Sequence, residues 1–227
     1  MPQNLFDLSQ QYDAMLQKGL SLSGEDKTYF MKGRIRDLLG RLPCGYRPQR
    51  ILDFGCGIGD AARYLADLFP HARVLGIDTS DQALDLARQR HGSERVAFSD
   101  ISAFSEAGTI DLCYVSGVFH HIAPPERPRT LRMIHDALAP GGYLAFFENN
   151  PWNPGTRLVM HRIPFDRDAH PISPRQALCL LRQGGFMGTL QPRFMFYFPR
   201  SLAFLRFTER WLTRLPLGAQ YYVLARK

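Results

Sequence analysis

The densest chemical pattern in the chain is Asp53-Phe54-Gly55-Cys56-Gly57-Ile58-Gly59: a carboxylate followed by three glycines at alternate positions. An apolar run, Arg50-Ile51-Leu52, precedes it, and a helical pattern begins at Asp60. Glycines let a backbone turn sharply and come close to a bound molecule. In open α/β sheets, ligands bind beyond the carboxyl ends of the strands. Dinucleotide sites use G-x-G-x-x-G and place a pyrophosphate over the helix N-terminus. The spacing here is G-x-G-x-G, and a carboxylate at position 60 would repel a phosphate. Asp53 and Asp60 favour instead a ligand that carries positive charge. The competing reading is a plain tight turn with Asp60 capping the helix.

Further polar residues follow at strand ends. Asp78-Thr79 closes a second apolar run, near the spacing at which an acid accepts hydrogen bonds from ribose hydroxyls. It also reads as a turn-and-cap cluster with Ser80 and Asp81. Asp100 follows a third run and could accept the amino hydrogen bond of an adenine, with Ile101 against the ring. Its alternative is a surface turn. His120 and His121 follow a fourth run. A histidine there could take a proton from a hydroxyl or amine, or the two could be a packed, hydrogen-bonded pair. His161 and His170 are weaker candidates. No His/Cys/Asp group has metal-ligand spacing, so no metal is expected. Cys44, Cys56, Cys113 and Cys179 form no C-x-x-C pair, and read as reduced cytoplasmic thiols.

The elements that must position these residues alternate. Strands are expected at 50–54, 73–78, 96–98, 110–115 and 143–147, and helices at 60–69, 80–90, 127–138 and 174–184. The fold class is therefore α/β, a Rossmann-like, mostly parallel sheet with helices on both faces. Residues 1–42 read as an N-terminal helical cap, broken at Ser23-Gly24-Glu25-Asp26. Residues 149–173 read as an irregular lid or substrate insert. Residues 194–198 and 220–225 read as end strands. The segment Phe194 to Leu215, with an amphipathic stretch from Ser201 to Leu215, reads as packing on its own sheet; bordering an apolar pocket or touching a membrane is disfavoured because its polar face is modest. The 227 residues suit a single domain: cap 1–42, cofactor-binding core 50–148, insert 149–173 and C-terminal part 174–227. The N-terminus lacks a signal-peptide pattern and no run approaches a membrane span, so a cytoplasmic protein is expected. Net charge is +7, carried by scattered arginines rather than one block.

Ile51 to Gly59 resembles motif I of the class I S-adenosylmethionine-dependent methyltransferases. Asp78, Ser99-Asp100-Ile101, Asp111 to Ser116 and Leu138-Ala139-Pro140-Gly141-Gly142 resemble the later motifs of that family, over about residues 50–148. The likeness is to the bacterial small-molecule type. The resemblance implies a seven-stranded sheet ending in a reversed hairpin, with S-adenosylmethionine as cofactor. It implies that Asp53 and the backbone of Gly55, Cys56 and Gly57 hold the methionine part. Asp78 and Thr79 would meet the ribose, Asp100 and Ile101 the adenine, and Ser116 would lie under the methionyl portion. The expected reaction moves the methyl group to O, N or C of a small metabolite, in natural-product, lipid or glycan biosynthesis. Rival readings are an RNA methyltransferase, disfavoured because no basic stripe or RNA module is present, and a non-catalytic cofactor-binding protein. A nicotinamide oxidoreductase fails on the glycine spacing. Asn150-Pro151-Trp152 looks like an amino-methyltransferase motif but comes one strand late.

Overall fold

The computed structural model of the chain describes residues 17, 19–163 and 169–227. Seven strands form one sheet: β1 (Arg50–Phe54), β2 (Arg73–Asp78), β3 (Val96–Asp100), β4 (Ile110–Ser116), β5 (Leu138–Asn149), β6 (Arg193–Met195) and β7 (Gln220–Arg226), in the order β3-β2-β1-β4-β5-β7-β6. The first five strands are mutually parallel, and β7 runs antiparallel between β5 and β6. This is the reversed end that the motif resemblance implied.

Alternation along the strands divides the core into two layers. Leu52, Phe54, Cys113, Val115, Leu144 and Phe146 face one side, where they meet helices α4 (Arg127–Ala137) and α6 (Pro174–Gln183). Ile51, Leu112, Tyr114, Ala145 and Phe147 face the other, against α1 (Lys27–Leu39), α2 (Asp60–Leu68) and α3 (Asp81–His91). Three of these helices start on a side-chain cap. Asp26 accepts from the Tyr29 amide, Ser80 from the Ala83 amide, and Ser173 forms a capping box with Gln176.

The break expected at 23–26 is present: a 3-10 turn, Ser21–Ser23, ends at Gly24, φ 72°, and α1 begins at Lys27, while residues 1–16 and 18 lie outside the described residues. Three expectations require correction. Residues 149–173 are not irregular throughout. Pro154–Arg162 forms helix α5, because Asn153 caps it through the Thr156 amide and Pro154 supplies a helix-compatible φ without needing a donor. The strand expected at 194–198 stops at Met195, since Phe196 takes φ 61° and leaves the extended region. The stretch Ser201 to Leu215 does not bury its aromatic residues on the sheet. It forms a 3-10 segment, Arg200–Thr208, and a short helix α7, Glu209–Leu212, with Phe204, Phe207 and Trp211 exposed.

Candidate cofactor and acceptor site

β1, β2, β3 and β4 lie side by side, so the polar residues at their carboxyl ends form one row. Asp78 pairs in register with Asp100, and Phe54 with Val115, the neighbour of Ser116. Asp53 occupies the position after Ile51 on the α1–α3 face, where alternation calls for an apolar residue. It is buried, and its Oδ2 has no hydrogen-bond partner. Burial and the negative charge of Asp78 push its carboxyl up to about 7, against the Ala62 amide and the charge of Arg34. A buried carboxylate oxygen without a donor costs free energy until a cationic or hydrogen-bonding group arrives.

The glycine loop closes over this carboxylate. Gly55 stands at φ 73° and Gly57 at φ 53°. Their reasons differ. A Cβ on Gly55 would sit 2.4 Å from Val118 Cγ2, whereas a Cβ on Gly57 would meet nothing within 4 Å. Gly55 is thus required by packing within the protein, and Gly57 presents the open face of the loop. The amides of Gly55 and Cys56 donate to Ile77 O at 2.8 and 3.0 Å, and the Gly57 amide donates to Asp78 Oδ2 at 2.8 Å. The Cys56 thiol is buried, and desolvation together with Asp53 pushes it up, so it stays protonated.

Asp78 closes the turn that its neighbours Thr79, Ser80 and Asp81 suggested. Its Oδ1 accepts from the Thr79 and Ser80 amides at 2.8 and 3.0 Å, while Oδ2 ties that turn to the glycine loop. A carboxylate has about four acceptor positions, so three amides leave capacity for a further donor. Asp100 caps the turn that follows β3, accepting from the Ser102 amide at 2.6 Å and from the Ser102 hydroxyl, which hold its carboxyl below the ordinary range. Ile101 packs partly buried against the core. Asp60 departs from its expected role. Lys27 at 2.8 Å and His91 at 3.1 Å hold it. Burial pulls its carboxyl upward, but those partners outweigh it and keep it below its usual value. Its charge is spent on docking α1 to α2, and not on repelling a phosphate.

The histidines separate clearly. His120 is buried, and its Nδ1 lies 2.6 Å from Glu148 Oε2. The other oxygen of Glu148 accepts from the Phe119 amide at 2.9 Å. With Nδ1–H donated to the carboxylate, Nε2 is the proton-accepting nitrogen of the neutral ring. The His121 ring lies against His120, with centroids 4.1 Å apart. His170 contributes its backbone only: its amide donates to His120 O at 2.8 Å, and Arg127 grips its carbonyl at 2.7 Å. His161 is exposed on α5 and does not line the cavity.

Next to Ser116, His120 and His121 opens a cavity of about 420 Å³. Its walls come from both segments that the sequence left to acceptor choice, with Phe30 and Arg34 from α1 and Val159 and Met160 from α5. A third wall runs from Phe196 to Pro199 with Arg206, in the segment that the sequence offered, as its less favoured reading, for a pocket border, and is completed by Gln220. Phe196 reaches it because its unusual φ turns the ring onto Phe30, with centroids 4.9 Å apart. Arg34 is held by Tyr114 Oη at 3.1 Å and Gln220 Oε1 at 3.0 Å. Arg206 is held by Glu25 at 2.9 Å and lies over the Tyr29 ring, while its Nη2 is buried without a partner. Sequence reasoning missed Glu148 as a partner of His120. Only its place at the end of β5, beside β4, signals the pairing.

The family model described as "Methyltransferase domain" matches residues 52–144. The trans-aconitate 2-methyltransferase of Variovorax paradoxus (strain S110) is 33% identical over 161 residues, which cover 69% of this chain and 61% of that protein. The chain thus spans about three fifths of the length of that curated relative. Among solved structures, an S-adenosylmethionine-dependent methyltransferase from Archaeoglobus fulgidus superposes with a TM-score of 0.67 at 17% identity, covering 89% of this chain and 95% of that one. Phosphoethanolamine N-methyltransferase 2 of Haemonchus contortus, in complex with S-adenosyl-L-methionine, gives 0.62 at 18% identity, covering 86% and 52%. Sheet order, motif row and sequence kinship agree: residues 52–144 match the methyltransferase domain, and the chain has the fold of the S-adenosylmethionine-dependent methyltransferases.

Proposed function

We propose that the chain transfers the methyl group of S-adenosylmethionine to a small, acidic metabolite. The observation that carries the cofactor reading is the buried, unpartnered Oδ2 of Asp53, at the head of a loop in which Gly57 has open space above its backbone. Those two features suit a ligand with an ammonium group that comes close to the loop. The methionine end would be held by Asp53 and the backbone at Gly55, Cys56 and Gly57, with Ser116 beneath it. The ribose would meet Asp78 and Thr79, and the adenine Asp100 and Ile101. When bound, S-adenosylmethionine supplies an electrophilic methyl on a sulfonium.

The chain's own residues then hold and deprotonate the acceptor. Arg34 and Arg206 supply positive charge within the cavity wall, and Phe30, Met160 and Phe196 exclude water from it. Excluding water and fixing the acceptor in line supplies much of the rate in a displacement of this kind. His120 would accept a proton at Nε2 where the acceptor atom carries one, with Glu148 holding the ring and stabilising the resulting cation. His121 packs against that ring and lines the same cavity. A carboxylate acceptor needs no base, so His120 matters for hydroxyl or amine acceptors only. The named activity of the relatives, on trans-aconitate, supports an acid as acceptor. The chain would work as one domain, in which 1–42 and 149–173 shape the acceptor pocket around the 50–148 core.

The test is a methyl-transfer assay with S-adenosylmethionine and a panel of small carboxylic and hydroxylated acids, read by mass as the gain of one methyl. Arg206→Ala is expected to raise KM for the acid while S-adenosylhomocysteine affinity stays unchanged. Transfer to neutral amines or RNA, and to none of the acids, would contradict the reading.

A further inference from the structure

Of nine exposed large apolar side chains among the described residues, eight lie in residues 152–158 and 202–217, the ninth being Met187. Phe204 is 70% exposed, Phe207 65% and Trp211 63%. The two segments are tied together: Asn153 Nδ2 donates to Leu217 O at 2.6 Å, and Asn150 Nδ2 to Pro216 O at 3.1 Å. Each also carries part of the cavity wall, Asn153 and Thr156 from the first and Arg206 from the second. The apolar rim therefore belongs to the same part of the molecule as the acceptor cavity.

Its charge is one-sided. Arg157, Arg162, Arg200, Arg210 and Arg214 are all exposed. Residues 150–163 contain no acid, and the only acid in 200–217, Glu209, turns inward to accept from the Tyr197 and Phe198 amides. The Arg210 guanidinium lies 4.1 Å from the Trp211 ring centroid, so cation and aromatic are presented together. A contiguous apolar patch rimmed by cations is costly to leave in water. A protein partner would have to match five exposed arginines with acids placed one by one around an apolar face. An anionic bilayer surface uses both, taking aromatic rings at the headgroup boundary and arginines at its phosphates. Among the described residues no helix is long and apolar enough to cross a membrane, so any such contact is interfacial.

We propose that this face docks the protein onto an anionic lipid bilayer, with Phe204, Phe207 and Trp211 in the headgroup boundary. Docking would bring the acceptor cavity to the lipid surface. It is separable from methyl transfer, because none of these three residues lines the cofactor loop or the cavity.

The experiment mixes the full chain with vesicles of phosphatidylcholine alone and of phosphatidylcholine with phosphatidylglycerol. Both tryptophans of the chain, Trp152 and Trp211, lie in the two exposed segments, so their emission reports directly. Sedimentation and a blue shift with the anionic vesicles, weakened by salt, are expected. The triple variant Phe204→Ser, Phe207→Ser, Trp211→Ser should partition about tenfold less or weaker still, while binding S-adenosylhomocysteine as the parent does. Failure of the parent to bind anionic vesicles overturns the proposal, as does equal partitioning by the triple variant. A parent dimer that the triple variant dissolves, with no vesicle binding, assigns the face to a second copy of the chain and also overturns it.

Discussion

At the scale of single residues, Asp53 decides most. Its carboxyl stands at about 7 because burial and the Asp78 charge both oppose ionisation. The direction of the pH effect follows. A folded-state value raised above the ordinary 3.8 adds stability that is complete at low pH and is lost as pH rises toward about 7. The melting temperature of the ligand-free protein, relative to that of Asp53→Asn, should therefore fall between about pH 4 and pH 7. A ligand ammonium favours the ionised form, so S-adenosylhomocysteine should bind more tightly as pH rises through that range, with proton release near pH 6 in calorimetry. A flat affinity across the range would contradict this. His120 belongs to the same scale. On an acceptor with a proton to lose, His120→Gln should lower kcat about 100-fold, and Glu148→Gln should lower kcat while leaving S-adenosylhomocysteine affinity unchanged. If neither changes kcat on any acceptor, positioning alone drives the reaction. The glycine and acid motifs were legible in sequence because each sits in a fixed place after a strand. Glu148 was not, because its partner lies 28 positions earlier and is joined to it only by the pairing of β4 with β5.

At the scale of elements, the glycine loop and the strands around it were read almost to the residue, since a buried parallel strand shows as a short apolar run. Gly55 and Gly57 test why that loop has its form. Gly55→Ala places a methyl against Val118 as well as straining a positive φ, and should cost about 3 kcal/mol or more in urea denaturation. Gly57→Ala meets no protein atom and should cost only about 1–2 kcal/mol, while its methyl enters the open face and weakens cofactor binding. Equal stability losses would mean that packing against Val118 is not what requires Gly55. The elements misread share one cause. Helix α5 begins on a side-chain cap inside a segment without apolar periodicity, β6 is cut short by one residue in a left-handed conformation, and 200–212 is amphipathic without burying its aromatic face. Periodicity reports that a face is apolar; it does not report what covers that face.

At the scale of the whole molecule, the cap and the insert hold the cavity over the row of strand ends. Lys27 reaches Asp60, Arg34 reaches Tyr114 and Gln220, and Tyr222 Oη donates to Asp37 Oδ2 at 2.5 Å. These contacts bind α1 to α2, to β4 at the centre of the sheet and to β7 next to its edge, so the acceptor wall is braced at three places. Arg34→Ala should therefore both lower thermal stability and raise the acceptor KM, since buried Tyr114 and half-buried Gln220 lose a charged donor. The loop at the carboxyl end of β1 remains the part on which everything else depends. The measurement that bears on it most directly is calorimetric titration of S-adenosylhomocysteine into the parent chain and into Asp53→Ala. One-site binding to the parent, weakened at least tenfold in a variant that still unfolds cooperatively, is the predicted result. Absence of binding to the parent, or equal affinity in both, would contradict the assignment of this loop to the methyl donor.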